Sequence, residues 1–211
     1  MPSQPNLPLI NSAFAIFGQD PIQSIDAETP GAQAAGLIYR LVIDDLLGFY
    51  PWSFSKETRQ LQRLANVPDT GFSYAYLLPP DANGLPIQIS DANDFRGDFQ
   101  KYSLHGMEIH ADAEELWAII KVSALPELWS PTFRYAATLA LAGNFALSVT
   151  GDRNLKESLL EDAFGPPQMM RRGGAMGLAI QENALNQPSP VLAVDGGPLI
   201  AARTDGLYSD W

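Results

Sequence analysis

Residues 29–54, TPGAQAAGLIYRLVIDDLLGFYPWSF, decide how the rest of the chain is arranged. They read as an amphipathic helix that ends in an aromatic plug. Thr29 is placed to cap the helix, and Pro30 falls at the first helical position, where a missing N–H costs nothing. Ala35, Ile38, Val42, Leu46 and Phe49 recur at steps of three and four and predict one buried face, with Gln33, Arg40 and Asp44 on another side. Gly48 is expected to fray the helix, and Pro51 drives Tyr50 out of the α region. Trp52 and Phe54 then alternate as in a strand, so Tyr50, Trp52 and Phe54 are expected to enter a core together.

Upstream, Pro8 to Phe17 predicts a short helix with Ile10, Ala13, Phe14 and Phe17 on one face and Gly18 as its stop. Ile22 and Ile25 are the apolar residues of the following loop and should tuck against the helix pair. Downstream, residues 55–122 change character. KETRQLQRLANVPD is polar and weakly alternating, and predicts an exposed strand. In GFSYAYLLPPD, Phe72, Tyr74, Tyr76 and Leu78 alternate before Pro79 and Pro80 close the strand. Leu85, Ile87 and Ile89 alternate again, and QKYSLHGMEIHAD predicts a hairpin about His105 and Gly106. Leu116, Ala118, Ile120 and Val122 share one side of a last strand. The block predicts one antiparallel sheet inserted between helices.

Helix returns at residues 131–149, capped by Ser130, apolar nearly all round and ended by Gly151. Asp152 caps a further helix over 152–164, with Leu155, Leu159 and Ala163 on one face. Gly165-Pro166-Pro167 should break it before a last helix over 168–186, which carries Gly173, Gly174 and Gly177. Residues 188–211 show no helical period and predict an extended arm that orders against a partner. The expected fold is therefore α+β: a helical bundle (helices about 8–17, 30–48, 131–149, 152–164 and 168–186), a β insertion at about 55–122, and an extended C-terminal arm at 188–211 beyond a domain spanning 1–187.

At 211 residues and 46% apolar content the chain can bury a sizeable core. Its charged fraction of 18% is below the roughly one quarter usual for globular domains. That fits buried contacts between subunits, and a loop-rich monomer nearly as well. Net charge is −11, and the acidity is spread along the chain. Such a surface repels phosphate backbones and anionic lipid, so adhesive nucleic-acid binding is disfavoured while passage of DNA close by is not. There are no cysteines, which excludes disulfides, thiolate chemistry and Cys-ligated zinc. The apolar run Tyr135 to Val149 is too short to span a bilayer, and MPSQPNLPLI lacks the pattern of a signal peptide, so a soluble protein is expected.

Candidate chemistry is sparse. His105 and His110, the two histidines, have Glu108 and Asp112 nearby, a set that could serve a metal-dependent hydrolase. Their five-residue spacing predicts opposite strand faces, which favours turn and surface roles. Asp44 and Asp45 project about 100° apart on a helix and cannot jointly grip one atom, so they read as an acidic patch. Gly173-Gly174 and Gly196-Gly197 follow no strand-to-helix phosphate pattern. Arg171 and Arg172 could meet phosphate or an acidic neighbour, and Met169, Met170 and Met176 suggest adaptable packing. No cofactor and no metal site is expected.

Several of these stretches, taken in order, carry a resemblance. LINSAFAIFGQDPIQSID, the Ala-rich helix and YPWSFSKET resemble the opening of the phage head-to-tail adaptor proteins, the tail tubular protein A group. FSYAYLLPPD is similar to that family's aromatic strand, and the hairpin at His105-Gly106, the strand to Val122 and SPTFRYAATLALAGNFALSVTGD follow in the family's order. The resemblance covers roughly residues 7 to 164. The chain departs from it where Gly165-Pro166-Pro167 interrupts the last helix, and in the long Pro/Gly-rich arm. The resemblance implies a non-enzymatic virion protein, made in the host cytoplasm, that forms a ring, typically of twelve copies. The ring would join the portal of the head to the tail nozzle protein, with tail fibres as a further partner, and let DNA pass without specific binding. On that reading Asp44 and Asp45 are expected along the channel, and Arg171, Arg172, Leu207, Tyr208 and Trp211 at interfaces. The alternatives are an assembly chaperone or a receptor-binding module.

Overall fold

The computed structural model describes residues 5–95 and 99–186. The expected arm, with Leu207, Tyr208 and Trp211, lies outside the described residues. The fold is α+β, with five helices and two antiparallel sheets among the described residues.

Helix α1 (Leu7–Ile16) starts where the Asn6 side chain accepts from the Leu9 amide, and it buries Ile10, Ala13 and Phe14. Asn11 then fixes the loop that follows: its amide group exchanges two hydrogen bonds with the backbone of Ile22, at 2.9 and 3.0 Å. Ile22 is buried and Ile25 half-buried. Helix α2 (Pro30–Phe49) is capped as expected, with Thr29 Oγ1 accepting from the Ala32 amide. Its buried face is wider than the spacing implied and centres on Tyr39 and Ile43, flanked by Ala32, Ala35, Leu46 and Leu47. Ile38, Val42 and Phe49 ride half-buried on its shoulder.

The aromatic plug forms by a different route from the expected strand. Residues Ser53–Ser55 make a single 3-10 turn, which places Trp52 wholly inside and leaves Tyr50 and Phe54 half-buried. Trp52 packs 4.5 Å from the Phe133 ring and 5.8 Å from Phe54, centroid to centroid. Its indole N–H donates to the Leu46 carbonyl at 2.9 Å. That carbonyl belongs to the last turn of α2, where no intrahelical donor exists. One residue therefore fills the core and closes the helix.

Helix α3 (Pro131–Thr150) is capped by Ser130 and ended by Gly151 in the left-handed region at φ +74°. It runs through the middle of the bundle, packed on by α1, α2, α4 (Arg153–Phe164) and α5 (Gly174–Leu185). This accounts for its nearly uniform apolarity. At Gly143 an added Cβ would lie 2.9 Å from the Leu160 side chain, so the missing side chain sets how closely α4 approaches.

The last helix begins at Gly174 rather than near residue 168. Residues Pro167–Met169 form a 3-10 turn, and Met170 and Arg171 adopt positive φ. A Cβ on Gly165 would come 2.9 Å from the Gly173 Cα, and one on Gly174 would come 2.4 Å from the Asp162 carbonyl oxygen. These glycines, which weaken a helix by propensity, let the corner between α4 and α5 close backbone on backbone.

The β insertion forms two sheets rather than the single expected one. Strands β1 (Lys56–Gln60), β4 (Gln88–Ser90) and β7 (Trp117–Lys121) give the order β1-β7-β4. Strands β2 (Gln62–Arg63), β3 (Tyr74–Leu77), β5 (Tyr102–His105) and β6 (Glu108–Ala111) give β2-β3-β6-β5. The chain passes from one sheet to the other at Leu61, whose amide donates to the Leu116 carbonyl at 2.8 Å. Leu61, Tyr76, Leu78, Ile89, Ile109, Leu116 and Ile120 fill a second core between the sheets. Leu116, Ala118, Ile120 and Val122 are buried as expected, whereas Leu85 and Ile87 face solvent.

The two cores are joined at the end of α2. The Lys121 ammonium donates to the Gly48 carbonyl at 2.6 Å, and Asn83 Nδ2 donates to the Asp44 carbonyl at 2.8 Å. A cation on carbonyls at a helix C-terminus is also favourable to the helix dipole. Burial holds the Lys121 pKa below its ordinary value. Gly48 leaves room for this contact, since a Cβ there would sit 3.2 Å from Asn83 Oδ1.

Two outcomes follow for stability. Trp52→Ala should cost about 3–5 kcal/mol in denaturant unfolding, because it opens a cavity and orphans the Leu46 carbonyl. Burial, the largest cause, pushes the Tyr39 phenol up from 10.0 to about 12. Stability from this group is fully present below the unfolded value and is lost as pH rises from about 10 to about 12. Wild-type protein should lose about 2–3 kcal/mol across that window that Tyr39→Phe does not lose.

Candidate functional site

The candidate site is the outer face of α2. Leu37 and Leu41 follow one another at one helical turn and are 80% and 72% exposed. With Gly36, Gly48 and Phe49 they floor a groove of about 720 Å³, rimmed by Arg40, Asp44, Asp45 and Asn83. Gly36 and Gly48 add no side chains to the floor, which keeps the groove open. These two leucines make an apolar stripe on α2 that none of the described residues covers.

The rim charges are engaged. Arg40 Nε lies 3.6 Å from Asp44 Oδ2, one turn away. Arg171 reaches across from the α4–α5 corner and grips Asp45 with both arms of its guanidinium, at 2.5 and 3.2 Å. The same guanidinium stacks on Phe49 and Phe164, 4.9 and 4.8 Å from the ring centroids. Arg171 thus finds the acidic neighbour that its sequence position suggested, within its own chain. Its positive φ of +65° is held by this three-way clamp. Beyond Arg171 a second hollow of about 680 Å³ is lined by Leu160, Phe164, Pro167 and Met170, with Glu157 and Glu161 at its edge. Arg172 is exposed.

A second polar cluster lies on the β insertion. Arg59 holds both oxygens of Asp81 at 2.8 and 2.9 Å and also bonds Glu57. The Arg59 hydrogen bonds hold the Asp81 carboxyl below its ordinary pKa. This fork ties β1 to the Pro80–Asp81 loop, whose Asn83 in turn reaches α2.

His105 and His110 share one face rather than opposite ones. Counting five residues along a strand ignores the turn at Gly106, which lies between them. Ser103 pairs with His110 across the hairpin, and His105 stands two residues from Ser103, so all three align. The rings stack with centroids 4.5 Å apart and planes at 17°. His110 Nδ1 lies 2.8 Å from Thr70 Oγ1 and its Nε2 3.4 Å from Glu108, while His105 Nε2 lies 2.9 Å from Ser103 Oγ. Asp112 accepts from both the amide and the hydroxyl of Ser73. Parallel rings send their nitrogen lone pairs side by side, not toward a common point. Among the described residues no group of three or more His, Asp or Glu side chains could hold a metal ion. None of the helices described is long and apolar enough to cross a membrane.

No protein-family model matches the chain, and no curated protein matches it.

Leu37, Leu41 and the Asp45–Arg171 clamp are the residues that sequence reasoning did not join. The i, i+4 spacing of the leucines was visible, but their exposure was not. The clamp links residues 126 positions apart and leaves no local signal. Being partly exposed, it should contribute modestly: a double-mutant cycle between Asp45→Ala and Arg171→Ala should give a coupling of about 0.5–1 kcal/mol. Arg171→Lys should lose most of this, because an ammonium cannot fork onto the carboxylate and stack on two rings.

Proposed function

We propose that this chain is a structural adaptor that assembles as a ring between the portal of a phage head and its tail, and continues the channel for DNA. The observation that carries the reading is where the resembling segments fall in the fold. The largest fully buried side chains, among them Phe14, Tyr39, Trp52, Tyr76, Phe133 and Phe145, all come from those segments. The resembling segments therefore supply residues that set packing, in a fold whose β insertion lies between the second and third helices.

The surface supports assembly. Leu125 and Leu128 on the turn before α3, Tyr135 on its first turns, and Leu178 and Leu185 on α5 are large apolar side chains left in water. The N-terminal end of α3 meets α5 through a hydrogen bond between Thr132 and Glu182, so these residues flank one region of the bundle. A subunit with large apolar side chains left in water suits the head-to-tail contacts that close into a ring. The spread negative charge suits a channel that DNA traverses without sticking. Because Asp44 and Asp45 are engaged by Arg40 and Arg171, the channel's acidity in this proposal falls on carboxylates without an ion pair among the described residues, such as Glu157 and Glu161. Portal and tail nozzle are the proposed partners, and the virion the proposed location.

Mixing the protein with its candidate portal and imaging the product by electron microscopy should give one stoichiometric ring complex. Leu178→Asp with Leu185→Asp should reduce its yield at least about tenfold while leaving the subunit folded. A protein that never joins the portal and is missing from purified particles by mass spectrometry would be an assembly chaperone or another binding module instead.

A further inference from the structure

Two apolar surfaces are left uncovered by the described residues: the groove floored by Leu37 and Leu41 on α2, and the side of α5 that carries Leu178 and Leu185. We propose that the second fills the first between neighbouring copies, so that α5 of one subunit lies in the α2 groove of the next. The inference rests on the adaptor reading for the assembly it builds, and names the contact that closes the ring.

A contact repeated head to tail needs two different surfaces on different flanks of one subunit, and these two meet that need. On α2, Leu37 and Leu41 project about 200° from Tyr39 and Ile43, which are buried in the bundle. On α5, Asn183 turns toward the segment just past α2, where its Oδ1 accepts from the Ser53 amide at 2.9 Å. Glu182, one residue earlier, turns instead to Thr132 at the start of α3. At about 100° per residue, Leu178 and Leu185 fall within about 60° of Glu182 and at least about 140° from Asn183. The α5 leucines therefore leave the bundle on the side of α5 away from the end of α2.

Shape and charge match as well. Leu178, Glu182 and Leu185 follow the i, i+4, i+7 spacing with which a helix sets its anchors into a groove. The two leucines stand about 10 Å apart along α5, and the groove runs about 18 Å along α2 from Leu37 to Phe49. Between the α5 leucines, the Glu182 carboxylate accepts from Thr132 through Oε2, and its other oxygen has no partner among the described residues. Beside the α2 leucines, the exposed Arg40 guanidinium stands at the rim of the groove, with Nε 3.6 Å from Asp44. Docking α5 in the groove brings this carboxylate and this guanidinium to the same contact. A two-fold pairing of the α5 surfaces would instead set Glu182 beside its own copy, which like charge disfavours.

The chain has no cysteine, so Leu41→Cys and Leu178→Cys each create a single thiol at an exposed position. The two full-length variants, one of them isotope-labelled, are mixed in equal amounts with and without the candidate portal. They are then treated with a short bismaleimide cross-linker and mapped by mass spectrometry. The expected product joins position 41 of one copy to position 178 of another, at least about five-fold above the 41–41 and 178–178 products. Symmetric products in excess, or no product between copies in either condition, would overturn the proposal.

Charge reversal gives a second readout on the same pair. Adding Arg40→Glu to the Leu41→Cys variant should cut the mixed product at least about tenfold, and adding Glu182→Arg to the Leu178→Cys variant should restore it to within about threefold. No cut, or a cut that the second reversal leaves in place, would overturn the proposal. Wild-type protein imaged with the portal in parallel separates the two ideas. A ring with symmetric or absent cross-links removes this contact and leaves the adaptor reading. The mixed product without any portal complex removes the adaptor reading and leaves the contact.

Discussion

The last turn of α2 is the constraint on which the structure depends. A helix terminus leaves carbonyls without donors, and here the bundle and the β insertion both supply them. The Trp52 indole serves Leu46, Lys121 serves Gly48, and Asn83 adds a bond to the Asp44 carbonyl. Each donor arrives from a different segment. Trp52 comes from the turn that leaves the helix, Asn83 from the loop after β3, and Lys121 from the end of β7. Satisfying the helix end therefore also fixes how the chain enters and leaves the insertion. The Val122 amide, donating to the Ser55 carbonyl at 2.8 Å, closes the same neck.

This neck explains why two separate cores behave as parts of one fold. The bundle core gathers around α3, and the β core lies between two sheets, which the chain joins at Leu61. Polar contacts, rather than apolar ones, hold them together at the join. Arg59 extends the same arrangement by forking onto Asp81, two residues before Asn83. On the opposite flank, Arg171 ties α2 to the α4–α5 corner, so α2 is anchored along its outer side as well as its inner one. What it leaves open is the groove over Leu37 and Leu41.

Much of this was legible in the sequence because it is local. The caps at Thr29, Ser130 and Asp152, the stop at Gly151, the hairpin at Gly106 and the buried alternation from Leu116 to Val122 all follow from near neighbours. Most of the failures turn on a contact that lies far along the chain. Trp52 packs on Phe133, with a turn where alternation implied a strand. Gly173 and Gly174 look like helix breakers until Gly165 is seen against them. The histidines change face because a turn separates them, and the expected single sheet is two because the chain crosses between them at Leu61. The candidate surface was the least legible, since exposure of Leu37 and Leu41 depends on what does not pack there.

If the neck at the end of α2 makes the chain one cooperative unit, native-state hydrogen exchange reads it most directly. The slowest amides of β7 and of α3 should then open with the same free energy and the same denaturant dependence, and Lys121→Met should lower both together. Amides of β7 that open at markedly lower free energy than those of α3, with Lys121→Met changing only the former, would contradict the account.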